Sequence, residues 1–244
     1  MNLVVLLRAR RLSHGGALCP VPLGPCEHAA LLLGRSLADA VPGSTLKVLC
    51  AGDTAENPAL DLAIRLGADE TVRLFDPLLS CVDGLGVARA LSFALRHLGF
   101  DLVLAGRAAA DHPRAYIGPA VAECLDIRHL TGVREARWLT SEEGGGIRAR
   151  RPCDPEGGVT LPLPCLLTVA PRTDAPPLPT DTPEGPAPRV LSLADVGLST
   201  ALLQPRTQMR GAYHAGAPQP GAPRWLDHGA ALAQHLRAIE IIRP

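Results

Sequence analysis

The sequence predicts an α/β domain: a mostly parallel sheet with helices on both faces. Three observations point there. Short runs of Leu, Val and Ile alternate with stretches of helical periodicity through the first half of the chain. Apolar residues make up 47% of the 244, enough for a sizeable core. Aromatic residues supply only 3%, so that core is built from Leu, Val, Ile and Ala, the composition of strands covered on both faces by crossover helices.

The elements follow in order. Leu3–Leu7 is a short apolar run ended by Arg8 and reads as a buried first strand. Leu12–Pro25 is rich in Gly and Pro and reads as a loop. Glu27–Ala40 places Ala30, Leu31, Leu33 and Leu37 on or near one face of a helix, which Pro42 and Gly43 break. Leu46–Ala51 is a second strand, Gly52-Asp53-Thr54 a turn, and Asn57–Leu66 a helix closed by Gly67. Glu70–Leu74 is a third strand. Asp83 is placed to cap a helix over Gly84–Leu98, and Gly99 to end it. Asp101–Ala105 is a fourth strand, Gly106–Pro113 a turn of small residues, and Gly118–Leu125 a helix.

After residue 130 the pattern changes. Gly132–Leu139, Gly146–Arg151 and Val159–Ala170 read as strands joined by turns, the additional antiparallel part of the fold. Pro171–Pro188 is Pro-rich and extended, Val190–Leu198 a short ordered piece, and Trp225–Ile242 regains helical spacing as a C-terminal helix. The expected organisation is an α/β nucleotide-binding-type domain over 1–170 and a Pro-rich C-terminal arm over 171–244.

Composition excludes several function classes. Lys+Arg and Asp+Glu stand equal at 24 each, and few aromatics are available, so neither the basic footprint nor the stacking platform of a nucleic-acid binder is present. Seven cysteines, without CxxC spacing, argue for reduced thiols rather than disulfides or zinc. Cys50 and Cys165 lie in apolar runs, where Cys behaves as a small hydrophobe. The apolar start is followed by Arg8-Ala9-Arg10-Arg11, the reverse of a signal peptide, and it is too short to span a bilayer; a cytoplasmic protein without membrane insertion is expected. GxGxxG after the first strand, GxxxxGK[ST], HExxH and GxSxG are all missing, and no nucleophile–base pair is apparent. The eight histidines are scattered and read as surface or loop residues, His112 excepted for its place in the Gly106–Pro113 turn.

In open parallel sheets, ligands sit beyond the carboxyl ends of the strands. Here those ends are Leu7-Arg8, Ala51-Gly52-Asp53 and Gly106-Arg107. Glycine lets a ligand approach the backbone, and a following helix offers unpaired N–H groups, so the ends make a generic phosphate or nucleotide crevice. The same glycines serve equally as turn punctuation, and Asp111 either caps the following turn or accepts from a nucleotide hydroxyl.

The stretch GRAAADHPRAYIGPAVAECL, Gly106–Leu125, resembles the signature turn of electron transfer flavoprotein beta subunits, nearest the nitrogen-fixation and electron-bifurcating branch. Gly106, Arg107, Ala109, Asp111, Ala115, Gly118, Pro119, Ala122, Glu123 and Leu125 match that pattern without a gap. Pro25–Ala29, Ala63–Asp69, Asp101–Gly106, Pro164–Thr168 and Leu193–Leu198 resemble further family segments in the family's order. The resemblance implies a fold like that of the adenine-nucleotide alpha-hydrolase group. It implies pairing with an alpha-type subunit, which carries most of a redox FAD, and a second adenine nucleotide on the beta side, either AMP or a second FAD. It further implies docking of dehydrogenases and onward transfer to a quinone reductase or ferredoxin, with no substrate chemistry of its own. The strand ends and this turn together mark Arg8, Gly52, Gly106, Arg107, Asp111, Arg114, Tyr116 and Gly118 for cofactor binding. At the positions where the family has a small hydroxyl and an amide, this chain has Arg114-Ala115-Tyr116-Ile117. Arg114 offers a charged fork to a phosphate. Tyr116 either blocks the pocket or stacks on adenine. Three readings stand: an electron-carrier subunit, an adenine-nucleotide-binding module of the same fold, and a structural partner that has lost the cofactor.

Overall fold

β1 (Asn2–Leu7) is the centre of the sheet, and its Leu3, Val4 and Val5 are inaccessible to solvent. The computed structural model describes residues 1–8, 10–14, 17–21, 23–108, 116–154, 157–179 and 185–204. The expected C-terminal helix Trp225–Ile242 lies outside them.

From β1 the chain passes through a hairpin, β2 (Arg10–His14) and β3 (Ala17–Val21), into α1 (Pro25–Asp39). β4 (Thr45–Ala51) pairs with β1 in parallel, α2 (Asn57–Arg65) returns over the same face, and β5 (Glu70–Leu74) pairs with β4. α3 (Gly84–Leu98) then crosses to the other face and delivers β6 (Leu102–Gly106) to the far side of β1. α4 (Ile117–Leu125) leads to β7 (Arg128–Val133). A small antiparallel sheet follows, β8 (Glu135–Trp138), β9 (Ile147–Arg150) and β10 (Val159–Leu161). β11 (Cys165–Val169) inserts between β6 and β7, and β12 (Arg189–Leu191) joins the opposite edge beside β5. The main sheet has seven strands in the order β12-β5-β4-β1-β6-β11-β7, every pair parallel.

Two cores result. Leu3, Val5, Leu46, Leu102 and Leu104 meet α1 and α2 on one face. Val4, Leu6, Leu49, Val103 and Leu166 meet α3 and α4 on the other. A fully buried Leu contributes roughly 2 kcal/mol, so these strands dominate stability. α1 comes closest at Gly34, where an added methyl would lie 2.9 Å from Leu46 Cδ1. The small sheet covers the outer side of α1, and Trp138 Nε1 donates to Leu37 O at 2.8 Å.

Most expected elements occur within two residues of their sequence bounds. Asp83 accepts from Gly86 N at 2.9 Å, and Gly99 ends α3 at φ +70. Three expectations change. Much of the expected loop Leu12–Pro25 is the β2–β3 hairpin, whose two strands pair antiparallel from Arg10↔Val21 to His14↔Ala17. The expected strand Val159–Ala170 divides at Pro162-Leu163-Pro164 into β10 and β11, which serve different sheets. The expected strand Gly132–Leu139 divides likewise, at Arg134, into the end of β7 and β8, with an irregularity in the β7–β11 register where Gly132 takes φ +76.

Candidate functional site

The strand order reverses at β1. Successive strands β4 and β5 extend the sheet one way and β6 the other, which puts the switch point, the usual place of a ligand crevice in open parallel sheets, beyond the carboxyl ends of β1 and β6. Arg8 leaves β1 there, exposed at the rim. Gly106 ends β6 against the first turn of α1, where an added methyl would lie 3.1 Å from Cys26 Cβ and 3.2 Å from Glu27 N. This glycine therefore admits the α1 N-terminus. Cys26 and Glu27 are both buried, and burial pushes the Cys26 thiol up against the opposing backbone hydrogen bonding near Arg107 and Ala108. Arg107 is exposed, its backbone N–H donates to Val169 O at 2.9 Å, and its stem reaches the Gly132 side of the crevice, over β11 toward β7.

The β4 end is built differently. Asp53 caps the following turn by accepting from Ala55 N at 2.9 Å. Glu56, only 3% exposed, folds its carboxylate back onto Gly52: an added methyl there would lie 3.0 Å from Oε1. Cys50 Sγ donates to Glu56 Oε2 at 3.4 Å. In the parallel register, Cys50 lies opposite Leu7 on one neighbour and Arg73 on the other, which places Arg73 on the same face as Cys50. Burial first, then the Glu56 charge, raises the Cys50 thiol well above its ordinary range, and Arg73 and Arg8 oppose this. Arg73 is itself buried, with its guanidinium 5.6 Å from the Phe75 ring centroid.

α3 and α4 bring a third group to the same end of the sheet. Tyr116 precedes α4, 43% exposed, and its ring lies on the bare Cα of Gly84 at the start of α3. Among the described residues α4 has no side-chain cap at its N-terminus. Gly118, fully enclosed, seats α4 on the sheet; an added methyl would lie 2.6 Å from Thr168 Cγ2. Its place is therefore set by helix–sheet packing.

Of the residues marked from sequence, Arg8, Gly52, Gly106, Arg107, Tyr116 and Gly118 all gather at the carboxyl end of the sheet. Asp111, Arg114 and His112 lie outside the described residues. Sequence reasoning missed Glu27, Glu56 and Arg73; only burial distinguishes them from surface charges. It also placed His28 at the surface. His28 is 5% exposed on α1, burial lowers its pKa, and its Nε2 has no hydrogen-bond partner among the described residues. Among the described residues no cluster of His, Cys, Asp and Glu fits a metal ion, and no helix is long and apolar enough to cross a membrane.

The thiols give a direct test of this geometry. Cys50 is raised well above its ordinary range, and burial pushes Cys165 up to about 12, whereas Cys81 and Cys153 are exposed. Alkylation at pH ~8, read by mass spectrometry, is expected to mark Cys81 and Cys153 in the native protein, and Cys50 and Cys165 only after unfolding. Native labelling of Cys50 would contradict its buried pairing with Glu56.

A model of the electron transfer flavoprotein domain matches residues 22–195, a span that contains the β4, β6 and α4 sides of the crevice. An electron transfer flavoprotein subunit beta of Thermoanaerobacterium thermosaccharolyticum is 39% identical over 93 residues, 38% of this chain and 36% of that protein. The corresponding subunit of Mycobacterium tuberculosis is 32% identical over 181 residues, 71% and 66% of the two chains. Protein FixA of Bradyrhizobium diazoefficiens is 31% identical over 163 residues, 64% and 55% of the two. The matches thus span between about a third and two thirds of the length of these relatives.

Proposed function

The chain belongs to the electron transfer flavoprotein beta family, and from that premise we propose that it is the beta-type half of a heterodimeric electron carrier. The observation that carries this reading is the family match over 22–195, which coincides with a seven-stranded parallel sheet whose order reverses between β1 and β6. In this reading the partner is an alpha-type subunit, and FAD is held largely by that partner. Electrons enter from a dehydrogenase and leave to a quinone reductase or ferredoxin. The flavin supplies the redox chemistry; this chain positions it and provides a docking face. Residues 171–244 are proposed as the arm that reaches the partner.

The crevice is proposed to hold an adenine nucleotide. Its uncapped α4 N-terminus and the glycine ends of β4 and β6 suit a phosphate and a close-lying base. Arg8, Gly52, Gly106, Arg107, Asp111, Arg114, Tyr116 and Gly118 are the residues proposed to surround it. The buried Glu27 and Glu56 balance the arginines of the rim, so the nucleotide is held by hydrogen bonds and fit more than by net charge.

Co-expression with an alpha-type subunit tests the proposal. A stable complex with flavin absorbance is expected, and mass spectrometry of released ligands is expected to find an adenine nucleotide. Neither complex nor flavin would overturn the carrier reading. A complex that releases nothing would select the structural partner without cofactor.

A further inference from the structure

Arg73 carries a charge that the chain around it does not meet. It lies on β5, opposite Cys50 of β4 and Val190 of β12 in the parallel register, so the three share one face of the sheet. It is 9% exposed, and its Nε has no hydrogen-bond partner among the described residues. Among those residues no carboxylate lies within ion-pair distance of its guanidinium. Glu70, the acid on the same strand, pairs instead with Lys47 at 3.4 Å and Arg189 at 3.7 Å. Glu56, the buried acid at the neighbouring strand end, turns Oε2 to the Cys50 thiol and Oε1 to Gly52. The Phe75 ring attracts the cation but offers no acceptor in its plane. A guanidinium keeps its proton inside a protein, and a buried charge is stable when it is both paired and hydrogen-bonded.

The place of the guanidinium shows how a partner reaches it. It lies 5.6 Å from the ring centroid of Phe75, the residue that follows β5 at its carboxyl end. Phe75 is 38% exposed, and Val190, beside Arg73 on the edge strand, is 50% exposed. Solvent therefore meets the surroundings of this cation on two sides. The position is also apart from the switch point: β5 lies two strands from β1, beyond β4, which is roughly 10 Å at the usual strand spacing.

We propose that the carboxyl end of β5 is an anion site separate from the switch-point crevice, where Arg73 receives a small oxyanion, a phosphate or a carboxylate, on its charged fork. Both anions present two acceptor oxygens at the spacing of the fork, which a spherical halide does not. The site stands whether or not the crevice holds a nucleotide.

Inorganic phosphate and acetate, added separately to the isotope-labelled full-length chain, test it, with chloride at the same ionic strength as control. The Arg73 Nε–H resonance, assigned by its loss in Arg73→Met, is expected to move and saturate with at least one oxyanion and to stay in place with chloride. Arg73→Lys serves for the assignment where Arg73→Met does not fold. At roughly tenfold excess over its Kd, the bound anion is expected to raise the Tm of wild type about 3–5 °C more than that of the folded variant. A phosphate response assigns a phosphate ligand, and an acetate response a carboxylate. A resonance that answers to neither, or equally to chloride, would overturn the proposal. Movement confined to the Arg8 and Arg107 resonances would place the anion in the crevice, and this site alone would fall.

Discussion

Glu56→Ala is expected to lower the unfolding free energy by roughly 3–5 kcal/mol. Glu56 is 3% exposed at the end of β4, where it accepts from the Cys50 thiol and shares its surroundings with the buried Arg73. Removing the carboxylate leaves a buried cation with less opposing charge and a thiol without its acceptor. It also opens a void against Gly52, since the Glu56 stem fills the space a side chain there would take. Glu56→Gln keeps the volume and an acceptor for the thiol, and is expected to cost distinctly less. Urea unfolding of the two variants beside wild type gives the comparison. A loss below about 1 kcal/mol for Glu56→Ala would mean that the charges at this strand end do not depend on one another.

Gly118→Ala is expected to cost roughly 1–3 kcal/mol and to weaken the nucleotide binding proposed for the crevice. The added methyl would lie 2.6 Å from Thr168 Cγ2, a side chain 1% exposed in the middle of the sheet. α4 must lift, and its N-terminal N–H groups move with it. The strain has a specific remedy. Thr168→Ser removes Cγ2 but retains Oγ1, which accepts from Gly132 N at 3.1 Å. The double variant is expected to recover most of the loss, so the two changes are non-additive. Additive losses would place the strain elsewhere.

These two sites show which parts of the molecule can be read along the chain. Gly118 was legible as a residue that matters, because it falls on the signature turn that Gly106–Leu125 resembles. The reason itself, Thr168 on a strand fifty residues away, depends on β11 lying between β6 and β7. Glu56 looked like one more polar residue in the turn after β4, and its burial is a tertiary fact. Asp83 and Gly99 could be placed at the ends of α3 because capping is local chemistry. The hairpin β2–β3 was read as loop because Leu12–Pro25 is rich in Gly and Pro, Pro20 in its second strand among them. The alternation of strand and helix was enough for the main sheet, since each parallel crossover is itself a local βαβ unit. It could not show that β12, three residues long, would complete the edge beside β5.

The insertion of β11 also governs how the molecule is assembled during synthesis. β7 follows β6 in the chain but cannot pair with it, because the place between them belongs to a strand made later. At about 5–20 residues per second, β7 leaves the ribosome some seconds before β11 does. During that interval β6 has one open edge and β7 has no partner in the main sheet. A chain stalled or cleaved between residues 133 and 165 would keep both edges bare, and such edges recruit other chains. The nascent protein passes through an interval of aggregation risk that ends only when the strand with Thr168 arrives.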